Sequence, residues 1–262
     1  MDIFSLHGKV ALVTGATGYL GKSMALGLCA AGAHVFVNSR NDREANDLCS
    51  ILQRKGLHAT AAVFDIKDED QIKRFFEHKF AGNLDILVNN AYSGGGGTIE
   101  VCEGTDYMDS YDVTVVAAHR LIKHSLSNLR MAAKSNGYAS IINISSMYGV
   151  VSPNLRIYDS SYESNPPYYG AAKAALIQWT RYASCEFGRE GIRVNSISPG
   201  AFPSQEVQSS KAQLVERINE KIPMGRIGRT EEIIGPLVFL ASSASSYVNG
   251  ANLVVDGGWT SW

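Results

Sequence analysis

Tyr169 and Lys173 stand four residues apart in the run Tyr169-Gly170-Ala171-Ala172-Lys173. On a helix, positions i and i+4 share one face, so this phenol and ammonium can act together on one bound molecule. A free tyrosine has a pKa near ~10, too high for ready proton exchange at neutral pH. A neighbouring cation stabilises the phenolate and brings that value toward the working range. The pair therefore has the makings of a tunable proton donor. The same spacing also occurs on ordinary solvated helix faces, so its meaning depends on what the rest of the chain places around it.

The elements available to position the pair alternate in type. Short Val/Ile/Leu-rich runs predict strands at 10–14, 34–38, 60–64, 86–89, 140–145, 193–198 and 253–256. Helical stretches are predicted at 21–31, 43–55, 69–80, 111–134, 168–190 and 231–241. Strands that are apolar throughout are buried on both faces, which points to an α/β fold: a Rossmann-type doubly wound parallel sheet of about seven strands with helices on both faces. No repeat or linker interrupts the series, so residues 1–262 are expected to form a single dinucleotide-binding and catalytic domain. Segments 93–98 and 150–167 fit no regular element. They follow strand ends, where ligands bind in this architecture.

Composition narrows the function classes. A 45% hydrophobic, 19% charged chain with net charge -1 has no general attraction for nucleic acid or anionic lipid. No apolar run approaches the ~18 residues of a spanning helix, and the N-terminal run Met1 to Leu6 lacks a signal peptide's basic and apolar regions. A cytoplasmic protein with neither membrane nor nucleic-acid partner is expected. Cys29, Cys49, Cys102 and Cys185 lack metal or redox spacing and read as free thiols. His119 and His124, five positions apart, fall on different helix faces, so no metal is expected.

The first predicted strand runs into Thr14-Gly15-Ala16-Thr17-Gly18-Tyr19-Leu20-Gly21 and then a helix. Glycines here permit a tight turn and close backbone approach to a pyrophosphate resting on the helix N-terminus. This predicts a dinucleotide site on Gly15, Thr17, Gly18, Tyr19, Leu20 and Gly21.

Over nearly its whole length the sequence resembles the short-chain dehydrogenase/reductase family. The resemblance rests on that turn, then Asn89-Asn90-Ala91, Ile144-Ser145-Ser146, Tyr169 to Lys173, and Arg193-Val194-Asn195 leading to Pro199-Gly200. It continues through Gly225-Arg226-Ile227-Gly228 and Val255-Asp256-Gly257-Gly258. It implies that Tyr169 is the general acid in carbonyl reduction and the general base in alcohol oxidation. Lys173 would lower the phenol's pKa and bond the nicotinamide ribose, and Ser146 would hold the substrate oxygen as charge develops. It also assigns cofactor contacts to Asp65 with the adjoining Ile66, to Asn90 and Ala91, and to Pro199, Gly200 and Ser204. After the second strand the chain reads Asn38-Ser39-Arg40-Asn41, with no carboxylate until Asp42. Arg40 and Ser39 suit a 2′-phosphate, so NADP(H) is favoured over NAD(H).

Three features depart from the family pattern. Thr114 stands where the family commonly has an asparagine that anchors a water-linked proton relay, a role a hydroxyl could take. Tyr92 replaces the glycine that usually follows Asn-Asn-Ala and is expected to reshape the roof of the pocket. Tyr19 replaces the middle glycine of the turn, a spacing closer to the extended branch, although the chain stops soon after Gly258 as the short branch does.

Ser146 and Tyr169 are separated by 23 positions, a long interval for the family. The extra segment carries Arg156, Tyr158, Asp159, Tyr162, Glu163 and Asn165, and borders the active site because it joins two catalytic residues. Such groups suit a polyhydroxylated or anionic substrate, with Arg156 and Tyr158 as candidate contacts beside Tyr92 and Ser146. The wording of the motifs looks most like gluconate dehydrogenase-type and bacterial sugar-pathway members. Segment 201–222 matches a substrate lid. A sugar-nucleotide epimerase or dehydratase with bound cofactor, or a non-catalytic dinucleotide sensor, are the competing readings. The family also implies a homo-oligomer, dimer or tetramer, paired through the helices at 111–134 and 168–190.

Overall fold

Strands that are apolar on both faces need a covering layer on each side, and the chain provides two. In a computed structural model, which describes residues 2–262, seven parallel strands lie in the order β3-β2-β1-β4-β5-β6-β7. Met1, part of the N-terminal run discussed above, lies outside the described residues. The strands are β1 (Val10–Val13), β2 (His34–Ser39), β3 (Ala59–Val63), β4 (Ile86–Asn89), β5 (Ala139–Ile144), β6 (Ile192–Pro199) and β7 (Asn252–Val255). Between them run α1 (Tyr19–Ala30), α2 (Asp42–Arg54), α3 (Glu69–His78), α4 (Gly104–Tyr111), α5 (Ala117–Asn136), α6 (Pro167–Phe187), α7 (Gln205–Ser210), α8 (Ala212–Lys221) and α9 (Ile234–Ala241).

Alternation along the strands divides the core. Ala11 and Val13 of β1 face a cluster with Met24, Leu28, Val35, Ile142 and Leu237. Leu12, between them, faces Phe64, Phe75, Leu87, Leu121 and Ile141 on the other side. Strand order reverses between β1 and β4, which pair over Ala11↔Ile86 to Val13↔Val88. This switch point leaves a crevice beyond the strands' C-terminal ends. Helix starts follow local chemistry: Asn41 caps α2 through its side chain, Asp68 caps α3, and α6 begins at Pro167, where a missing N–H costs nothing.

One sequence expectation changes. The helix predicted at 111–134 is three pieces: α4 begins earlier, Asp112–Val116 forms a π-helical turn, and α5 continues to Asn136. The β-branched run Val113-Thr114-Val115-Val116 fits a regular α-helix interior less well, and π-turns occur frequently at functional sites. The lid region holds two short helices, α7 and α8, with Ser204 capping α7 by accepting from the Val207 N–H at 3.3 Å.

Leu12 is fully buried between the sheet and the α3/α5 layer. Leu12→Ala is expected to lower unfolding free energy by about 2–5 kcal/mol, measured by urea denaturation.

Candidate active site

The glycine turn is shaped by what a side chain would strike. Gly15 has φ +60°, and a Cβ there would stand 2.8 Å from Ala91 Cα; one on Gly21 would stand 2.2 Å from the Gly15 carbonyl. The turn is held from below. Thr14 Oγ1 accepts from the Asn90 and Ala91 N–H groups at 2.9 and 3.2 Å. Asn90 Nδ2 donates to the Thr14 and Gly15 carbonyls at 2.9 and 3.1 Å, so its side chain supports the turn.

Above the turn opens a cleft of about 780 Å³. It gathers Gly15, Thr17, Gly18, Tyr19, Leu20, Gly21, Ser39, Arg40, Asp65, Ile66, Asn90, Ala91 and Tyr92, all singled out from sequence. A bare-backbone turn at the start of α1 and a cleft this long fit a dinucleotide. Arg40, largely exposed, reaches within 3.8 Å of Asp65. Thr17 Oγ1 lies 3.2 Å from Ser39 Oγ and 3.1 Å from Glu44 Oε2. Asn38, Asn41, Glu44 and Lys67 also line the cleft, and sequence reasoning missed them. Asn38 had a signal: a polar residue in an apolar strand. Its amide bonds the Ala62 and Phe64 carbonyls at 2.9 and 3.1 Å, and its Oδ1 accepts from the Gly15 N–H. Pro199, Gly200 and Ser204 lie outside this cleft's lining; Gly200 passes so close to Asp256 that a Cβ would stand 2.5 Å from its Cα.

Ser146, Tyr169 and Lys173 meet where β5 ends against α6. Ser146 follows the strand and caps a 3-10 turn, Met147–Gly149, its Oγ accepting from the Tyr148 N–H at 3.1 Å. That turn lies flush on α6. A Cβ on Gly149 would stand 2.8 Å from the Lys173 carbonyl carbon, and one on Gly170 2.7 Å from the Tyr148 carbonyl oxygen. Ser145, the neighbouring serine, is structural: its hydroxyl donates to the Lys173 carbonyl at 2.9 Å. Tyr168 is structural too, accepting from the Gly95 N–H at 3.1 Å.

Lys173 is buried, and its ammonium donates to the Ile144 carbonyl at 2.7 Å. Burial penalises the charged form and brings its pKa down to about 7. Burial pushes the Tyr169 phenol above its ordinary range, and the Ser146 side chain draws it back. In this arrangement Ser146, rather than Lys173, is the group favouring the phenolate. The ammonium lies 5.7 Å from the centre of the Tyr169 ring.

Thr114 lies in the π-turn, which together with Asn89 and Lys173 lines a small cavity of about 10 Å³. Thr114 Oγ1 and Asn89 Oδ1 are buried without a hydrogen-bond partner among the described residues. Asn89 Nδ2 is committed to Asn143 Oδ1 at 2.8 Å, and Asn143 Nδ2 to Thr180 Oγ1 at 2.8 Å, so the free Asn89 oxygen is fixed in direction.

The segment joining Ser146 to α6 ties the surrounding loops together. Lys211 pairs with Glu163 at 2.8 Å and Arg217 with Asp159 at 2.7 Å, linking the lid region to the insert. The Gly97 N–H donates to the Ser164 carbonyl at 3.0 Å, and the Ser164 hydroxyl to the Gly97 carbonyl at 2.9 Å. Tyr158 approaches Tyr148, hydroxyl to hydroxyl, at 3.4 Å, whereas Arg156 is exposed on the turn Leu155–Ile157.

Comparison with known proteins agrees with this geometry. A family profile described as Enoyl-(Acyl carrier protein) reductase matches residues 15–260. The chain is 35% identical to a 2-dehydro-3-deoxy-D-gluconate 5-dehydrogenase of Escherichia coli, covering 99% of this chain and 98% of the relative. It is 34% identical to a rhamnolipids biosynthesis 3-oxoacyl-[acyl-carrier-protein] reductase of Pseudomonas aeruginosa, covering 98% of each. A gluconate 5-dehydrogenase of Burkholderia cenocepacia, solved in complex with NADP and tartrate, superposes with TM-score 0.88 at 30% identity, over 100% of this chain and 98% of the other.

Lys173 also leaves a pH signature. With the folded pKa near 7 and the unfolded one near ~10.4, the unfolded chain binds the extra proton between those values, so this residue makes stability rise with pH there. The unfolding free energy of wild type minus that of Lys173→Met is expected to climb from pH 7 to pH 10 by up to about 1.4 kcal/mol per pH unit. Denaturant titrations at several pH values measure it, and a flat difference would contradict a depressed lysine.

Proposed function

The chain belongs to the short-chain dehydrogenase/reductase family and is an NAD(P)-dependent oxidoreductase; from that premise we propose that it uses NADP(H) to interconvert a polar secondary alcohol and its ketone, with a sugar acid as substrate. The observation that carries the reading is the convergence of Ser146, Tyr169 and Lys173 at the end of β5, beside the glycine-turn cleft.

A bound nicotinamide dinucleotide supplies hydride in reduction and accepts it in oxidation. Gly15, Thr17, Gly18, Tyr19, Leu20 and Gly21 hold its pyrophosphate, Ser39 and Arg40 the 2′-phosphate, and Asp65 and Ile66 the adenine. Asn90, Ala91, Pro199, Gly200 and Ser204 serve the nicotinamide half. Ser146 Oγ donates to the substrate oxygen and stabilises charge on it. Tyr169 gives its proton to that oxygen in reduction and takes it back in oxidation. Lys173 binds the ribose. Thr114 takes the water-holding role: it and Asn89 line a cavity of about 10 Å³ bordering Lys173, at the lower bound for one water, and its hydroxyl and Asn89 Oδ1 have no partner among the described residues.

The sugar-acid reading draws on the hydroxyls of Tyr148 and Tyr158 near Ser146, on Arg156 at the insert, and on the names of two of the relatives above. Reduction of an acyl thioester is the second reading. It is favoured by the Pseudomonas relative and by the apolar cluster of Met147, Ile157, Ile222 and Trp259 under the insert and lid. We assign the enzyme to the cytoplasm; no helix among the described residues is long and apolar enough to cross a membrane. We assign it a homo-oligomeric state, dimer or tetramer, through α5 and α6, which expose Met131 and Tyr182.

A panel of sugar acids, ketosugars, sugar phosphates and acetoacetyl thioesters, followed by NADPH and NADH absorbance in parallel, tests the reading. Turnover of sugar acids with NADP(H) is expected, and turnover of thioesters alone would sink it. Tyr169→Phe is expected to lower kcat by about 10²–10⁴-fold. Arg40→Ala is expected to weaken NADPH binding by about tenfold and leave NADH binding nearly unchanged, by fluorescence titration. Equal losses for both cofactors would remove Arg40 from the phosphate site.

A further inference from the structure

Lys173 has no carboxylate to pair with among the described residues. Thr14 after β1, Asn89 of β4 and Thr114 of the π-turn line a cavity with it, and Ile144 of β5, Tyr92 after β4 and Tyr169 on its own helix lie against it. The two phenols are the only titratable side chains in this set, and no nearby charge figures among the causes acting on Lys173. Beyond the Ile144 carbonyl and the cavity it shares with Thr114 and Asn89, two aromatic rings lie near the ammonium. It lies 5.2 Å from the centre of the Tyr92 ring, closer than the 5.7 Å to Tyr169, and within the range of a cation–π contact.

Tyr92 is itself held in place. Its ring packs edge to face on Tyr169, centroids 4.8 Å apart at 73°. Its hydroxyl lies 3.4 Å from Ser110 Oγ, which in turn donates to the Tyr168 carbonyl at 3.3 Å. Gly94 leaves room for it, since a Cβ there would stand 2.4 Å from the Tyr92 hydroxyl. Burial pushes this phenol up to about 12, so the ring stays neutral wherever the enzyme works.

We propose that Tyr92 is a positioning residue that holds the Lys173 ammonium by its ring face and braces the Tyr169 ring through an edge-to-face contact. It does for a buried lysine what a carboxylate would do elsewhere, without a negative charge that would oppose the Tyr169 phenolate. The inference deepens the proposed function, because it takes Lys173 and Tyr169 as the proton-handling pair.

Protein carrying [6-13C]lysine, with the Lys173 signal identified by its loss in Lys173→Met, reports the Lys173 titration without cofactor or substrate. Removing the ring face takes away a contact that favours the charged form, so Tyr92→Leu is expected to lower the midpoint by about 0.5–1.5 pH units. Tyr92→Phe, which keeps the face and loses only the Ser110 contact, is expected to titrate as wild type. The lysine-dependent limb of the kcat/KM profile is expected to move with the midpoint in Tyr92→Leu and return in Tyr92→Phe. If Tyr92→Leu does not fold, Tyr92→Met is judged by the same criterion. An unchanged midpoint in Tyr92→Leu, an equal fall in Tyr92→Phe, or a rise that shows Tyr92 acting by excluding water would each overturn the proposal. Unchanged turnover in Lys173→Met would instead overturn the catalytic reading and leave the titration result standing.

Discussion

A buried ammonium with a single backbone acceptor governs this site. Taking a charge out of water is costly unless its hydrogen-bonding capacity is met, and Lys173 meets only part of it at the Ile144 carbonyl. That bond ties α6 to the last residue of a central strand. The Ser145 hydroxyl returns the tie one residue later by bonding the Lys173 carbonyl. Gly149 and Gly170 then bring the serine turn and the helix into direct backbone contact. Ser146, Tyr169 and Lys173 thus sit on two elements that cannot slide past each other. Such rigidity lets a hydroxyl, a phenol and an ammonium be aimed at one oxygen atom.

Around this frame the variable segments are cross-linked. The insert is joined to the lid by Lys211–Glu163 and Arg217–Asp159, and to the glycine loop by the two hydrogen bonds between Gly97 and Ser164. The ion pairs are partly exposed, so each contributes little alone and is screened by salt. The Gly97–Ser164 bonds to the glycine loop are less exposed, since Ser164 is buried. The insert is therefore anchored firmly on the side of the glycine loop and loosely on the side of the lid. A lid must open and an active-site wall must not, and this division suits both needs.

Much of this was legible in the chain. The strands appeared as apolar runs because a parallel sheet buries both faces, and each of the seven was placed within about two residues. The glycine turn read as a cofactor site because close backbone approach demands glycine there, Ser39 and Arg40 because they suit a phosphate, and Asp65 with Ile66 only through the family resemblance. The break in the helix at 111–134 was not legible. A π-turn differs from α-helix by one hydrogen-bond step, and the β-branched run at 113–116 reads as weak helix without saying how the ladder adjusts. Asn89 was seen as part of a motif, and its free oxygen emerged only once its amide was committed to Asn143.

For the opening pair, Tyr169 and Lys173, sequence alone determined their shared helical face and their order among the family's motifs. These are properties of spacing, which local periodicity conveys. Tertiary structure decided their electrostatics. Lys173 is brought down by burial, and Tyr169 is moved by burial and by Ser146, both effects arising from groups distant in the chain. It also turned Tyr92, which the sequence reads as reshaping the roof of the pocket, into the nearer of two rings beside the ammonium. The physical reason is that spacing is local, whereas desolvation and ring contact depend on every element that closes over a site.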